Sequence, residues 1–506
     1  MTERESLFKK LHSYAETDYY PYHMPGHKRR QLGELPEQLV RTDITEIDGF
    51  DDLHNPQGIL ARLQEKANRL YGVDETFYMV NGSTGGILSA ISAALPAGGH
   101  LLMARDCHKS AYHAVYLRRL RVTYLYAERV EGFAFHEAVT ADQVDRALSR
   151  EPDIGAVLIV SPTYEGRIAD IEAIAETVHR RGIPLIVDEA HGAHLGFAKG
   201  FAPGSCAQGA DLVIHSVHKT LPALTQTALL HVNGERIDRE LLKRFLHIYQ
   251  SSSPSYLLMA GISDAMEIVE RRGEELFAKF REQYRSLTEH LEVCQSLRFV
   301  PWQDVEQGRQ DIGKLVIATD RSNVSGQWLY DALREDYHLQ CEMAAGDHCL
   351  AMFTLADEGE AYDRMERALL ELDARLTERA MPERTMAGRT MSEREMPECA
   401  VSERTVTEHG RTIQEKLEKH FPQIVCPLAD AWDRPWKTTD VSCAAGCVAA
   451  EFVSLYPPGI PLLVPGEVFT EELREQIAEY LSRGLRIQGL EERDGRYFIR
   501  VIKEPL

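Results

Sequence analysis

The sequence predicts an α/β fold in which a mostly parallel sheet carries helices on both faces. From about residue 60 to 275, amphipathic helical patterns alternate with short apolar segments that have the length of buried strands. The clearest helical pattern covers 59–70, and the clearest strand-like segments are 156–160, 184–187 and 211–214. This alternation is typical of parallel strands that are joined by crossover helices.

The length of 506 residues exceeds what one hydrophobic core usually serves, so we expect several domains. Residues 1–50 are rich in turn-forming residues and are predicted to form an N-terminal arm. Residues 51–275 hold the α/β pattern, and 276–378 combine long charged helical patterns with strand-like segments, which predicts a smaller α+β domain. Residues 410–506 predict a C-terminal α+β domain.

A five-residue repeat separates the last two domains. Within residues 379–409 it places Met or Val at positions 381, 386, 391, 396, 401 and 406. An α-helix turns about 100° per residue, so successive apolar positions fall about 140° apart and share no face. The high charge and low apolar content predict a solvated linker.

The composition favours a cytoplasmic protein with reduced thiols. No uninterrupted apolar run reaches the roughly 18 residues that cross a bilayer, and the first residues, MTERESLFKK, contain no apolar signal region. Nine scattered cysteines, an odd number, argue against a disulfide framework. Cys443 and Cys447 lie close together, but a second ligand pair with matching spacing is missing, and we expect no metal site.

The charge balance narrows the class of partner. The 57 basic and 78 acidic residues give a net charge of −21. Such a chain repels nucleic acid and anionic membranes and attracts cationic small molecules. Solubility explains the same excess of acids, so charge alone assigns no substrate. We expect neither nucleic acid nor a membrane as a partner.

A glycine-rich turn at 81–86 follows the apolar segment 76–80 and opens the helical pattern 87–95. Free backbone N–H groups and hydroxyls at the start of a helix suit a phosphate group. The same residue types also serve as ordinary helix caps. The candidate phosphate-binding residues here are Ser83, Thr84 and Gly85.

The segment 185–194 places an acid, Asp188, at the end of an apolar strand. A carboxylate in that position can pair with a protonated ring nitrogen and keep an aromatic ring a strong electron acceptor. A helix cap is one alternative. A metal site of Asp188, His191 and His194 is another, although no HExxH pattern is present.

Lys219 follows the next strand-like segment, in a short polar loop with Ser216 and His218. Partial burial and nearby charge lower the pKa of such a lysine, whose uncharged amine then forms an imine with an aldehyde. A solvent-exposed lysine is the alternative. A fourth segment, 105–110, contains His108, which could stack on an aromatic ring or cap a helix.

The order of these segments resembles that of fold-type I pyridoxal-phosphate enzymes, whose fold is aspartate-aminotransferase-like. More narrowly, the sequence resembles the bacterial ornithine/lysine/arginine decarboxylase family. The segments that carry the resemblance cover most of the chain; they are 24–28 (MPGHK), 51–54 (DDLH), 81–86 (NGSTGG), 107–110 (CHKS), 161–164 (SPTY), 188–192 (DEAHG), 216–219 (SVHK) and 456–467 (YPPGIPLLVPGE).

The resemblance implies a role for each candidate residue. Lys219 would hold pyridoxal 5'-phosphate as an imine, Asp188 would pair with its ring nitrogen, and His108 would stack on its ring. His218 would lie near the reacting carbon, and either His218 or the freed Lys219 would protonate it. The further cofactor-binding residues implied are Ser83, Thr84, Gly85, Ser216, His191 and Ser252.

The resemblance also implies an assembly. The segment 250–256, with Ser252, resembles the stretch that in this family reaches the cofactor phosphate of the neighbouring subunit. A homodimer with shared active sites, or a higher oligomer, follows from it. The N-terminal wing domain of acid-induced Gram-negative members has no room in the first 45 residues, so we expect a short form.

The implied activity is decarboxylation of a basic amino acid, lysine or arginine with ornithine as a further candidate, to an amine and CO2. The distal cation of the substrate would be read by acids, for which Glu165 and Glu467 are candidates. An aminotransferase or a lyase on the same fold would share Lys219 and Asp188. A non-catalytic regulatory homologue is the remaining alternative.

Overall fold

The computed structural model describes residues 6–380, 422–455, 460–482 and 485–503. The five-residue repeat from 381 onward, and 456–459 of the YPPGIPLLVPGE segment, lie outside the described residues. Among the helices that are described, none is both long and apolar enough to cross a bilayer.

A seven-stranded sheet forms the centre of the first half of the chain. Its strands are β1 (Glu75–Met79), β2 (His100–Ala104), β3 (Arg121–Leu125), β4 (Ala156–Val160), β5 (Leu185–Asp188), β6 (Leu212–Ser216) and β7 (Ala228–Val232). Their order is β1-β7-β6-β5-β4-β2-β3. Strands β2 to β6 pair in parallel, and β7 is antiparallel to both β1 and β6. The predicted α/β fold with a mostly parallel sheet is confirmed.

Helices and turns precede, connect and follow these strands. They are α1 (Leu7–Ala15), α2 (Glu37–Thr42), α3 (Ile59–Tyr71), α4 (Gly82–Ala94), α5 (Lys109–Arg118), α6 (Ala141–Arg150), α7 (Ile171–His179), α8 (Val217–Thr220) and α9 (Arg239–Tyr249), with a 3-10 turn at Ser205–Gln208. Every residue of β2, β6 and β7 is buried, as expected for strands that are covered on both faces.

The next part of the chain forms a small lobe. Its elements are α10 (Tyr256–Leu291), β8 (Arg298–Phe299), α11 (Trp302–Glu306), β9 (Lys314–Ala318), α12 (Gly326–Tyr337), β10 (Met343–Ala345), β11 (His348–Met352) and α13 (Gly359–Ala380). The strands form an antiparallel sheet in the order β10-β11-β9-β8. Helix α10 is continuous across the expected domain boundary at 275–276, so one long helix joins the large domain to the small lobe.

The C-terminal part has a core of its own. Its elements are α14 (Leu428–Asp433), β12 (Trp436–Asp440), a 3-10 turn (Val441–Cys443), β13 (Val453–Leu455), β14 (Pro461–Leu463), α15 (Glu471–Ser482), β15 (Ile487–Gln488), β16 (Glu491–Arg493) and β17 (Arg496–Ile502). The strands form two small sheets, in the orders β12-β17-β16 and β14-β13-β15. Phe469, Ile499 and Val501 lie at the centre of this core.

Candidate active site

The candidate active site lies where β5 and β6 end. The two strands are adjacent and parallel, so their carboxyl ends meet at one edge of the sheet. Asp188 is the last residue of β5, and Lys219 lies in α8, directly after β6. Burial lowers the pKa of Lys219, while the nearby Asp188 carboxylate opposes that shift. Burial raises the pKa of Asp188, and the charge of Lys219 opposes it. The predicted acid and amine therefore lie within electrostatic reach of each other.

His191 links Lys219 to a second lysine. Its Nε2 lies 3.0 Å from Nζ of Lys219, and its Nδ1 lies 2.7 Å from Nζ of Lys314. Burial and the charges of both lysines lower the pKa of His191 well below its usual value. The site thus contains a neutral imidazole between two amines.

The start of α4 has the features of an anion-binding site. The N-cap residue Asn81 makes no side-chain hydrogen bond to the first turn, which leaves N–H groups of that turn available. The hydroxyl of Ser216 donates to the Ser83 hydroxyl at 2.9 Å, so the helix start lies beside the end of β6. Thr84 is exposed and Gly85 is buried in the same turn. The Gly/Ser/Thr turn therefore lies beside the loop that carries Lys219.

Close packing fixes the position of this helix. A Cβ atom added to Gly86 would lie 3.0 Å from Cγ2 of Ile214 on β6. Gly82 has φ of +67°, and its N–H donates to the Gln226 carbonyl at 3.0 Å. Glycine at these two positions lets the turn approach the strand end without strain.

His108 caps α5. Its Nδ1 accepts from the hydroxyl and the N–H of Ser110, at 2.8 and 3.3 Å, so Nε2 carries the ring hydrogen. The ring is exposed, yet surrounding protein and the charge of Lys219 lower its pKa to about 4. This is the environment of a side chain that lines a cleft. A flat, neutral ring suits stacking on another ring.

His218 has a defined tautomer. Its Nδ1 lies 2.8 Å from the carbonyl oxygen of Thr227 and donates to it, which leaves Nε2 as an acceptor. Burial lowers the pKa of His218. The side chain of His218 is half-buried, and the residue immediately precedes Lys219 in the sequence.

Ser252 occupies a different place. It lies in the exposed loop between α9 and α10, where the carbonyl of the adjacent Ser251 accepts a hydrogen bond from His54 at 2.8 Å. Its implied contact with a neighbouring subunit stays a prediction.

Sequence reasoning missed Lys314. It is the first residue of β9 and comes from the small lobe, 95 positions after Lys219. It is 1% exposed, its Nζ lies 5.2 Å from the Tyr164 ring centroid, and burial with the charge of Lys219 lowers its pKa to about 8. A lysine that opens an otherwise apolar strand is the one signal that could have marked it.

Acidic side chains surround the two lysines. Burial and the charge of Glu165 raise the pKa of Asp106 to about 6. Glu342 is exposed and accepts a hydrogen bond from the Tyr164 hydroxyl, and its charge partly opposes the lowering of the Lys219 pKa. Of the two predicted readers of a distal cation, Glu165 therefore belongs to this cluster. Glu467 does not, because it is buried against Arg105, whose Nη2 lies 3.0 Å from its carboxylate.

Among the described residues, the ligand atoms of Asp188, His191 and His194 do not form a cluster that could hold a metal ion. The Nε2 of His194 lies 2.8 Å from the carboxylate of Asp311, and both side chains are buried. Asp311 therefore engages Nε2 of His194. Cys443 and Cys447 are free thiols.

One cluster with metal-ligand chemistry exists in the described part of the chain. It consists of Cys206, His215 and His231, whose ligand atoms lie within 4.8 Å of one another. Hydrogen bonds already satisfy its rings: His215 pairs with Glu189 at 2.6 Å and with His231 at 3.0 Å, and His231 pairs with Thr76 at 2.8 Å. This buried series of hydrogen bonds stabilises the sheet beneath the site.

Two family models match the chain. The major domain of the Orn/Lys/Arg decarboxylases matches residues 5–322, and their C-terminal domain matches 412–503. The chain belongs to the Orn/Lys/Arg decarboxylase family.

Individual proteins and solved structures are also similar to the chain. The chain is 29% identical to an arginine decarboxylase of Bacillus subtilis (strain 168), over 100% of this chain and 99% of that protein. The fold matches lysine decarboxylase A from Pseudomonas aeruginosa with a TM-score of 0.82 and 21% identity, over 98% of this chain and 80% of that one. A structure of SPT with PLP matches 63% of this chain and 77% of its own, with a TM-score of 0.50 and 15% identity.

The residues present in this decarboxylase fit pyridoxal phosphate. A partly desolvated amine, Lys219, suits an aldehyde, and the buried carboxylate of Asp188 suits a ring nitrogen. The uncapped first turn of α4 suits a phosphate, and the neutral ring of His108 suits an aromatic face. Each group of the cofactor thus has a residue of matching chemistry at this edge of the sheet.

Proposed function

We propose that this chain is a pyridoxal-phosphate-dependent decarboxylase of a basic L-amino acid, with arginine as the first candidate substrate. The convergence of Lys219, Asp188 and the start of α4 on one sheet edge carries the proposal. Full-length similarity to an arginine decarboxylase supports arginine over lysine or ornithine.

Each candidate residue would hold one part of the cofactor. Lys219 would bind the aldehyde, and Asp188 the ring nitrogen. The start of α4, with Ser83 and Ser216, would bind the phosphate, and His108 the ring face. Bound pyridoxal phosphate supplies an electron sink that accepts the electron pair left behind when the carboxylate departs as CO2.

The protein's own contribution is orientation. The bond to the carboxylate must stand perpendicular to the cofactor ring, and residues that hold the rest of the substrate decide which bond does so. Glu165 and Glu342 would attract the distal cation and so orient the amino acid. Their negative charge already acts on the lysines of the site.

A proton must then reach the α-carbon. Nε2 of His218 is a lone-pair acceptor, because Nδ1 donates to the Thr227 carbonyl. In this state His218 accepts a proton more readily than it gives one. Lys219, within hydrogen-bond distance of His191, is therefore the better donor in the proposal.

The proposed enzyme acts as a homodimer with shared active sites. Aromatic side chains of the N-terminal arm are exposed, with Tyr22 at 91%, Tyr19 at 68% and Tyr20 at 60%. Exposed aromatic residues in one segment favour an interface. The exposed loop with Ser252 is available to a second subunit.

The direct test is product analysis. The purified chain is incubated with pyridoxal phosphate and, separately, with arginine, lysine and ornithine, and the amine and CO2 are identified. We expect equimolar amine and CO2, fastest with arginine, and none from Lys219→Ala. Lys243→Ala, an exposed lysine of α9 that pairs with Glu75, is the matched control and should retain activity.

Other outcomes would assign other functions. An oxo acid without CO2 would indicate an aminotransferase, and cleavage between Cα and Cβ a lyase. Borohydride should fix the cofactor to Lys219. A chain that binds no pyridoxal phosphate would contradict the proposal and favour a non-catalytic homologue.

A further inference from the structure

We propose that Lys314 is a positioning residue that shares one proton with Lys219 through His191, and thereby keeps Lys219 in the uncharged form that attacks an aldehyde. The inference rests on the proposed function only for the identity of the aldehyde. The chain of contacts itself consists of protein atoms: Lys314 Nζ to Nδ1 of His191 at 2.7 Å, and Nε2 of His191 to Lys219 Nζ at 3.0 Å.

The contacts between Lys314, His191 and Lys219 allow two arrangements of their hydrogen atoms. A neutral imidazole has one N–H and one lone pair, so it accepts at one nitrogen only. If Lys314 is an ammonium that donates to Nδ1, the ring hydrogen is on Nε2 and points at Lys219. Lys219 must then be the acceptor, which requires an uncharged amine. In the opposite arrangement Lys219 is charged and Lys314 is not.

The ring is neutral because of its surroundings. His191 is 6% exposed, and burial together with two adjacent lysines lowers its pKa well below the usual value. Each lysine also disfavours the charge of the other in a poorly solvated site. Burial and Lys219 lower the pKa of Lys314 to about 8, and burial lowers the pKa of Lys219. One proton shared between the two lysines leaves His191 neutral and places only one charge in this poorly solvated site.

Burial disfavours a charge on both lysines, but three acids act on Lys314 and two on Lys219, so the neighbouring acids favour the proton on Lys314. The titratable groups that shift the pKa of Lys314 are Asp311, Lys219, Glu342 and Glu165. Those that shift the pKa of Lys219 are Asp188 and Glu342. Those that shift the pKa of His191 are Lys314, Lys219, His108 and His218. Glu342 acts on both lysines, whereas Asp188 acts on Lys219 alone, and in the proposed holoenzyme the Asp188 carboxylate is taken by the cofactor ring. Asp311 lies outside the proposed cofactor contacts and remains to stabilise a charged Lys314.

The chemical benefit is a nucleophile ready at neutral pH. The amine nitrogen bonds to the aldehyde carbon, and the aldehyde oxygen leaves as water with the two amine hydrogens. A charged Lys219 would first have to lose a proton, and a poorly solvated site offers little water to accept it. With the shared proton on Lys314, that loss has already taken place.

The test measures the titration of Lys219 without cofactor. The full chain is labelled with trace acetic anhydride from pH 6 to 11, and acetylation of Lys219 is quantified by mass spectrometry. In Lys314→Met the neighbouring charge is gone, so we expect the midpoint of Lys219 to rise by about one pH unit. Its labelling at pH 8 should then fall about tenfold. Lys314→Arg keeps a fixed cation, and its Lys219 should label as in the unsubstituted chain.

Two controls separate charge from structure. Lys243→Met removes an exposed lysine of α9 and should leave the labelling of Lys219 unchanged. Lys314→Gln serves if the Met variant does not fold, with circular dichroism as the check. Equal midpoints in the unsubstituted, Met and Gln chains would overturn the proposal, as would equal shifts in the Met and Arg variants. A chain that fails to bind pyridoxal phosphate would contradict the proposed function and leave this result standing.

Discussion

Lys314 is the residue whose burial is hardest to reconcile with an ordinary lysine. Its pKa of about 8 lies below the usual 10.5, so between these pH values the folded chain binds fewer protons than the unfolded chain. The free energy of unfolding therefore rises with pH in that window, and the charged form is penalised below it.

This gives a stability prediction for Lys314→Met. At pH 7 the variant should be more stable than the unsubstituted chain, by at most about 3 kcal/mol for a shift of this size. Above pH 8 the difference in the free energy of unfolding should narrow, because Lys314 in the unsubstituted chain then loses its proton and the cost of burying its charge disappears. Urea unfolding at pH 7 and pH 10 checks it, and a difference that is the same at both pH values would contradict it.

Most candidate residues could be found from the sequence because local rules place them. Asp188 and Lys219 follow strands that are adjacent and parallel, and topology alone brings such ends together. Ser83 lies at a helix start, which is also a local feature. The contact of Lys314 with the site could not be predicted, since it depends on how the small lobe packs on the large domain.

Among the elements, the turn after β4 shows how tightly the two parts meet. Gly166 has φ of +99°, and its carbonyl accepts from the N–H of Asp311 at 2.7 Å. A Cβ there would lie 2.6 Å from Nε2 of Gln310 and 2.7 Å from Cβ and Cγ of Lys314. Only glycine lets this turn lie against the stem of that lysine.

Gly166→Ala should therefore destabilise the chain and displace Lys314. We expect a loss of about 1–3 kcal/mol from the clash in addition to the strain of positive φ. Gly49→Ala is the matched control, since Gly49 has φ of +87° and no neighbour within 4 Å of an added Cβ. Denaturant unfolding compares the two, and equal losses would show that the contact with Lys314 has no energetic weight.

Helix α4 begins earlier than its sequence indicates. The sequence predicted a helix over 87–95, and α4 begins at Gly82. Glycine, serine and threonine are weak helix formers, so propensity favours a loop. The contact of Gly86 with Ile214 holds the first turn in place, and tertiary packing outweighs propensity.

The N-terminal arm allows a prediction about assembly. Tyr22 is 91% exposed, and an aromatic residue of this kind at an interface contributes about 2 kcal/mol. Tyr22→Ser should therefore weaken a dimer by more than tenfold in sedimentation analysis. Val293→Ser, at a 70% exposed apolar residue after α10, is the control. Equal dimer affinities would exclude the arm from the interface.

At the scale of the whole molecule, a buried ion pair joins the C-terminal part to the large domain. Arg105 donates to the Glu467 carboxylate at 3.0 Å and to the Pro461 carbonyl at 2.8 Å, and both charged side chains are mostly buried. Removing one partner leaves a buried charge unpaired, which costs about 3–5 kcal/mol.

Glu467→Ala should thus lower the free energy of unfolding by about that amount. Glu491→Ala, which breaks pairs with the exposed Arg493 and the partly exposed Arg500, should cost at most about 1 kcal/mol. Urea unfolding measures both, and similar losses would mean that Arg105 finds another partner. The sequence offered Glu467 as a reader of the substrate's distal cation and did not indicate its pairing with Arg105, because that partner lies 362 positions away.

Helix α10 fixes a length as well as a connection. Near its start, the hydroxyl of Tyr256 donates to the Asp51 carbonyl, and near its end that of Tyr284 donates to the Lys314 carbonyl at 3.1 Å. At about 1.5 Å per residue these anchors stand roughly 42 Å apart. One inserted residue between them would turn the far anchor by about 100°. The number of residues in this helix therefore sets the position of β9 relative to the seven-stranded sheet. Insertions should be tolerated far less here than in surface loops.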